Sequence, residues 1–212
     1  MDAWLNQLLS EPDMLQMGHG QDAATQSLGL GWIYYGLARA LRPRTVVVIG
    51  SWRGFVPLIF GKALRDNGDG GRVVFIDPSY VDDFWTGPAR VTAHFARFGI
   101  DNIDHHCMTT EAFTQSTAFA TLKDVGVLFV DVMHTASAAR FDYETFRPRL
   151  SDDGITLFHD SIWVRTTRIY GADKAYEHRV KDYIDDLRRD SSLDVLDIAL
   201  AGGLTLVRER RS

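Results

Sequence analysis

Val46-Val47-Val48-Ile49-Gly50-Ser51-Trp52-Arg53-Gly54 is the stretch on which the fold turns. Four β-branched residues in a row, with no polar alternation, suit a strand covered on both faces. Gly50 and Gly54 then let backbone approach a ligand closely, and the helix that follows offers free N–H groups. The spacing is GxxxG and not the GxGxxG of dinucleotide enzymes. A plain strand-to-helix turn is the competing reading of the same residues.

Outward from that stretch the rhythm repeats. Short apolar runs recur at 72–76, 125–130 and 155–158, with a weaker one near 103–107. Between them, 56–64, 91–98, 111–122 and 141–150 carry apolar residues at helical spacing. Strands alternating with helices predict right-handed βαβ units and a parallel sheet covered on both sides. Before this region, residues 2–9 predict a short amphipathic helix, Gly18-His19-Gly20 interrupts, and 23–41 predicts a second helix that Pro43 ends. After it, 172–189 predicts a long polar helix. Residues 193–200 and 204–208 then read as two strands joined tightly through Ala201-Gly202-Gly203.

With 212 residues, 45% apolar and 24% charged, the chain suits one compact domain and excludes a disordered, collagen-like or coiled-coil protein. A single cysteine, Cys107, excludes an intramolecular disulfide framework and a CxxC zinc site. No apolar run approaches the ~18 residues of a membrane span. The net charge of −5 gives no reason to expect nucleic acid. Asp2, Glu11, Asp13 and Asp22 all precede the first basic residue, Arg39. Neither a secretory signal nor a transit peptide is therefore expected, and a cytoplasmic location is.

In open α/β sheets ligands bind beyond the carboxyl ends of the strands. Here those ends carry Asp77, Asp131 with His134, and His159-Asp160-Ser161. Asp77, at the end of the second strand, can accept both hydroxyls of a ribose, or it can cap the turn that follows. A carboxylate placed directly after a buried strand is costly unless something binds it, and three at one edge point to a shared pocket. Asp131 and Asp160 should be close enough either to repel, raising one pKa, or to hold a divalent cation. Ser161, His159 and waters as further ligands make an oxygen-rich Mg²⁺-type site the expectation. His134 and His159 are the acid–base candidates, since imidazole titrates near neutral pH. Trp52, Trp85 and Trp163 fall just past strand ends and could wall a flat ligand.

From about Trp32 to Asp160, and more loosely to Arg208, the chain resembles the class I S-adenosylmethionine-dependent methyltransferases. The nearest branch is the catechol O-methyltransferase-like group, which includes macrolide O-methyltransferases. The residues that carry the resemblance are 47–54, Phe75-Ile76-Asp77, Phe129-Val130-Asp131 with His134 and Asp142, and 154–161. It implies an α/β, doubly wound, mostly parallel seven-stranded sheet (the Rossmann-like methyltransferase fold) with an antiparallel last strand. Residues 1–42 would form an N-terminal helical lid or interface segment, a route to a homo-oligomer, and 43–212 the cofactor-binding domain. It further implies that Gly50, Ser51, Trp52 and Gly54 pass under the methionine part of S-adenosylmethionine and that Asp77 holds its ribose. Thr109, between Met108 and Thr110, would face the adenine. Asp131 would serve cofactor, catalysis and metal together, with His134 and His159 as its catalytic partners and Asp160 and Ser161 as further metal ligands. The acceptor would be a small-molecule hydroxyl, with Mg²⁺ as a candidate assistant.

Three positions depart from that pattern. Val48 stands where the loop acid is usual, His159 stands where metal-using relatives often have a second Asp, and no lysine lies between Lys123 and Lys174 to act as base. His134 would take the base role, and Asp131 could supply the missing acid. The alternative reading keeps the fold as a cofactor- or metal-binding protein without methyl transfer.

Overall fold

The computed structural model describes residues 1–16, 18–131, 133–168, 173 and 175–210. Five parallel strands form its spine: β1 (Thr45–Ile49), β2 (Arg72–Ile76), β3 (Ile103–His106), β4 (Val125–Val130) and β5 (Leu150–His159). Two very short strands follow, β6 (Arg165–Thr167) and β7 (Tyr176–His178), and then β8 (Leu193–Ile198) and β9 (Leu204–Glu209). The large sheet runs β3-β2-β1-β4-β5-β9-β8, with β9 antiparallel to both of its neighbours. The predicted seven-stranded sheet with an antiparallel last strand is thus the observed one. The order reverses between β1 and β4, which opens a crevice at their carboxyl ends.

Every residue of β1 and β4 is buried, and the period of two divides their side chains between two cores. Val46 and Val48 of β1, with Phe129 of β4, join one core, against α3 (Gly31–Leu41), α4 (Phe55–Asn67) and α5 (Pro88–Ala96). Val47, Ile49 and Leu128 join the other, against α8 (Ala136–Phe146) and α9 (Val180–Leu187). The absence of polar alternation in these strands follows directly, since neither face meets water. Gly54 caps α4 with φ 82°, and a Cβ there would come within 3.0 Å of the Trp85 and Phe95 rings. The second glycine of the motif therefore makes room for the Trp85 and Phe95 rings at the start of α4.

The N-terminal helix α1 (Asp2–Leu9) turns Leu5, Leu8 and Leu9 into the same core as α3 and α4. Three helix predictions need correction. The stretch 23–41 is helical only from Gly31, because Asp22 and Ser27 first exchange backbone hydrogen bonds in a tight β-bridge. The stretch 111–122 breaks into α6 (Thr110–Thr114) and α7 (Thr117–Thr121), as Ser116 accepts from Phe119 N–H and restarts the helix. The long C-terminal helix is α9 alone. Ahead of it, Tyr176–His178 pairs with Arg165–Thr167 as a small antiparallel ribbon, and the start of the expected helix, at residue 172, lies outside the described residues.

Phe60 of α4 is fully buried between Tyr34 and Phe129. Phe60→Ala should lower the unfolding free energy in urea by about 3–5 kcal/mol, the usual cost of emptying a large aromatic site. A loss below about 1 kcal/mol would mean that this layer is not close-packed.

Candidate active site

At the carboxyl edge of the sheet lies a cavity of about 490 Å³. Gly50, Ser51 and Trp52 line it, together with Asp77, Asp131, His134, His159 and Asp160. Six of the seven residues assigned to the cofactor, and all but Ser161 of the catalytic and metal candidates, thus fall at two adjoining cavities or their rims, Gly54 being the exception on the cofactor side. Thr109 lies in the second cavity, of about 370 Å³, with Thr110 and Asp142, and Tyr80 borders both spaces. Trp85 walls the main cavity while its indole N–H donates to Trp52 O at 3.0 Å. Trp163 is 44% exposed and lies outside the lining.

Asp77 caps the turn after β2 and lines the cavity. Its carboxylate accepts from Ser51 N–H at 3.0 Å, tying the end of β2 to the glycine loop, and from Ser79 N–H at 2.8 Å as an Asx-type cap. Burial raises its pKa, and the two amide bonds oppose that rise. A carboxylate oxygen can accept a second hydrogen bond, and Asp77 lines the cavity.

Asp131 is the centre of the other half. Its N–H donates to Ile49 O at 2.8 Å, which sets it at the β1–β4 switch point. One oxygen, Oδ1, accepts from His134 Nε2 at 2.9 Å and from His159 Nδ1 at 3.1 Å. Burial alone would raise its pKa, yet His159 and His134 together hold the carboxyl well below the usual carboxylate range. For His159 the same attraction outweighs burial and raises the imidazole pKa. His134 is oriented from its far side by the Tyr176 hydroxyl, 3.1 Å from Nδ1.

His134 and Asp160 both have left-handed backbone, at φ 49° and 51°. Non-glycine residues rarely hold that conformation, and such strain concentrates where a side chain must be aimed. Asp160 Oδ2 ion-pairs with Arg165 and lies 3.0 Å from His178 Nδ1 and 3.6 Å from His134 Nε2. A Cβ on Gly202, in the β8–β9 turn, would come within 2.2 Å of Asp160 Oδ1, so a glycine is required there.

Ser161 is a correction. It is fully buried, its Oγ lies 2.8 Å from both Phe158 O and Thr205 Oγ1, and it does not line the cavity. The expected ligand set of Asp131, Asp160 and Ser161 is therefore not assembled. The two carboxylates face four imidazoles instead, and that donor set does not fit an ion that prefers oxygen throughout.

Two of those imidazoles escaped sequence reasoning. His19 stacks over Phe55 with its ring centroid 4.2 Å from that of His159, and burial together with the charge of His159 lowers its pKa to about 3. His178 stacks on His134 at 4.0 Å. Neither sits in a motif. His19 between two glycines was a faint local signal, and His178 left none.

In the second cavity, Asp142 is almost fully buried, and its Oδ2 has no hydrogen-bond partner among the described residues. Burial pushes its pKa up to about 7, against a smaller opposing effect of Thr110.

A family model described as a methyltransferase domain matches residues 47–161, more than half of the chain. The chain belongs to that methyltransferase-domain family. Its sheet is that of the class I S-adenosylmethionine-dependent enzymes. Among sequences, a 141-residue stretch is 28% identical to an uncharacterised protein, y4gI, of Sinorhizobium fredii, covering 61% of this chain and 15% of that protein. The match thus spans under a sixth of the relative's length. Among solved structures, the Bacillus cereus O-methyltransferase in complex with SAH superposes with TM-score 0.68 at 14% identity, over 99% of this chain and 92% of that one. The Streptomyces achromogenes O-methyltransferase TomG, in complex with SAM, gives TM-score 0.62 at 15% identity, over 99% and 89%. These likenesses establish the fold. No helix among the described residues is long and apolar enough to cross a membrane.

The buried Asp142 carboxyl keeps its proton up to about pH 7 in the folded chain, whereas the unfolded chain releases it near pH 4. The native state then binds the extra proton, so stability falls as pH rises through that window. Asp142→Asn should flatten the fall between pH 4 and 7 and stabilise the protein at pH 8 by about 1–3 kcal/mol, read by urea unfolding at each pH. Parallel wild-type and variant profiles would rule this out.

Proposed function

We propose that the chain methylates a hydroxyl of a small molecule with S-adenosylmethionine as donor. The observation that carries this reading is the pairing, in one cavity, of the Ser51–Asp77 cradle with the Asp131–His134–His159 cluster. The residues present fit the cofactor. The Asp77 lone pairs suit a ribose, Gly50 and Ser51 expose backbone, and the unpartnered Asp142 Oδ2 in the adjoining cavity is an acceptor for an exocyclic amine. Thr109 lies beside it as N-cap of α6, with its own hydroxyl turned to Ala112 N–H.

The bound cofactor supplies an electrophilic methyl group on sulfur. The protein's own contribution is positioning and proton management. Trp52 and Trp85 wall the space and exclude water, while Gln16 and Gly18 of the N-terminal segment line it from above the sheet. That placement supports the lid role of residues 1–42. The hydroxyl proton passes to the imidazole cluster on Asp131, whose negative charge stabilises the imidazolium that results. Val48 is fully buried in β1 and supplies no acid to the cofactor's amino group, a role that Asp131, one of the carboxylates lining the cavity, would take.

The buried Val48 also favours a second reading, a cofactor-binding protein of this fold without methyl transfer. Calorimetric titration with S-adenosylmethionine and with its demethylated product tests both. Binding of each is expected, and Asp77→Ala should weaken it by about 10–100-fold, the worth of charged hydrogen bonds. Absence of binding at high protein concentration would remove both readings. Tight binding without methyl transfer to any hydroxylated acceptor in a panel would leave the second.

A further inference from the structure

His134, Asp160 and His178 form a group of which the proposed methyl transfer uses only His134. They come from three places in the chain: the turn after β4, the end of β5 and the last residue of β7. One potential ligand atom from each lies within 4.8 Å of the others. His178 and Asp160 are 1% and 3% exposed. Among the described residues, both ring nitrogens of His178 and the Asp160 Oδ1 atom lack a hydrogen-bond partner. His178 Nδ1 stands 3.0 Å from Asp160 Oδ2 without the alignment of a hydrogen bond.

A packing role would leave buried imidazole nitrogens partnered, because an orphaned buried polar group keeps its full desolvation penalty. Here the unpartnered His178 Nδ1 stands beside Asp160 Oδ2, which Arg165 holds, with His134 Nε2 on the other side of that oxygen. Separations of 3.0 and 3.6 Å bracket the ~3.3 Å expected between ligand atoms about 2.0–2.1 Å from a tetrahedral ion. The Tyr176 hydroxyl on His134 Nδ1 is the outer partner that fixes a ligating ring, and Nε2, which bonds Asp131 Oδ1 at 2.9 Å without an ion, would exchange that partner for the metal. Left-handed backbone at His134 and Asp160 aims both side chains at this point. Asp160 already holds a cation, the half-exposed Arg165 guanidinium, which a metal ion would displace toward solvent.

We propose that His134, Asp160 and His178 bind one divalent transition ion of the imidazole-preferring class, zinc or ferrous iron, and not Mg²⁺. Two imidazoles and one carboxylate make the donor set of such ions, with positions left open to the cavity. With the ion bound, Asp131 and His159 remain the pair that takes a proton. The site shares the cavity with the proposed reaction but stands without it.

The test uses Zn²⁺ and Co²⁺ as probes on the whole chain, stripped of metal, with no cofactor present. Calorimetry should give one equivalent of either ion, and Co²⁺ should develop the visible absorption of a tetrahedral nitrogen–oxygen field. Millimolar Mg²⁺ should neither bind nor compete. His178→Gln should weaken binding more than about 100-fold, beyond the loss typical of an outer partner. Arg165→Ala should leave it unchanged or tighten it. Should His178→Gln fail to fold, ¹⁵N-histidine NMR of the unaltered protein reads the same ligands, and Zn²⁺ should shift the His134 and His178 ring nitrogens. Stronger binding of Mg²⁺ than of Zn²⁺, no binding of either probe, unchanged affinity in His178→Gln, or shifts confined to His19 and His159 would each overturn the site. Titration of the same sample with the demethylated cofactor separates failure of the metal site from failure of the methyltransferase reading.

Discussion

One buried carboxylate organises the site. Asp131 leaves the central strand β4 with its side chain among apolar strand ends, where an unpaired charge would be prohibitive. It is tolerated because His134 and His159 converge on the same oxygen, at 2.9 and 3.1 Å. Each ring is thereby locked, His159 with its Nε2 bare among the described residues and His134 against Tyr176. Removing Asp131 would take from both imidazoles the oxygen they share, so the cluster depends on that carboxylate.

The same constraint spreads outward. Holding His134 and Asp160 in place requires left-handed backbone at both, and closing the turn over Asp160 requires Gly202 to lack a side chain. Arg165 and His178 come together because β6 and β7 pair, with Arg165 opposite His178 in the register. The negative charge of Asp131 and Asp160 is thus met by imidazoles and Arg165, and that of Asp77 by the Ser51 and Ser79 amides. The acids that dominate the first 38 residues take little part: Asp13, for example, pairs with Arg53 at the surface.

The parallel sheet was legible because burial on both faces leaves an unmistakable mark, the unbroken apolar runs of 46–49 and 125–130. Asp77, Asp131, His159 and Asp160 were legible because a strand end is a place that sequence can locate. The helices at 23–41 and 172–189 were over-read. Apolar spacing there did not reveal the Asp22–Ser27 bridge or the Tyr176–His178 strand, which are held by backbone pairing and not by periodicity. Ser161 was assigned by adjacency to Asp160. Its hydroxyl instead meets Thr205 on β9, a contact 44 residues away.

The sequence by itself determined the layers, the strand ends and the family, since these depend on local pattern and short motifs. Only the tertiary structure decided the chemistry of the cavity. His19 and His178 lie outside every motif, and they reach Asp131 and Asp160 through chain closure: His19 by the N-terminal segment folding over His159, His178 by the ribbon folding back onto His134. A side chain's donor type is written in the sequence, but which donors share one space is set by packing, and packing turned a pair of carboxylates into a centre dominated by imidazole.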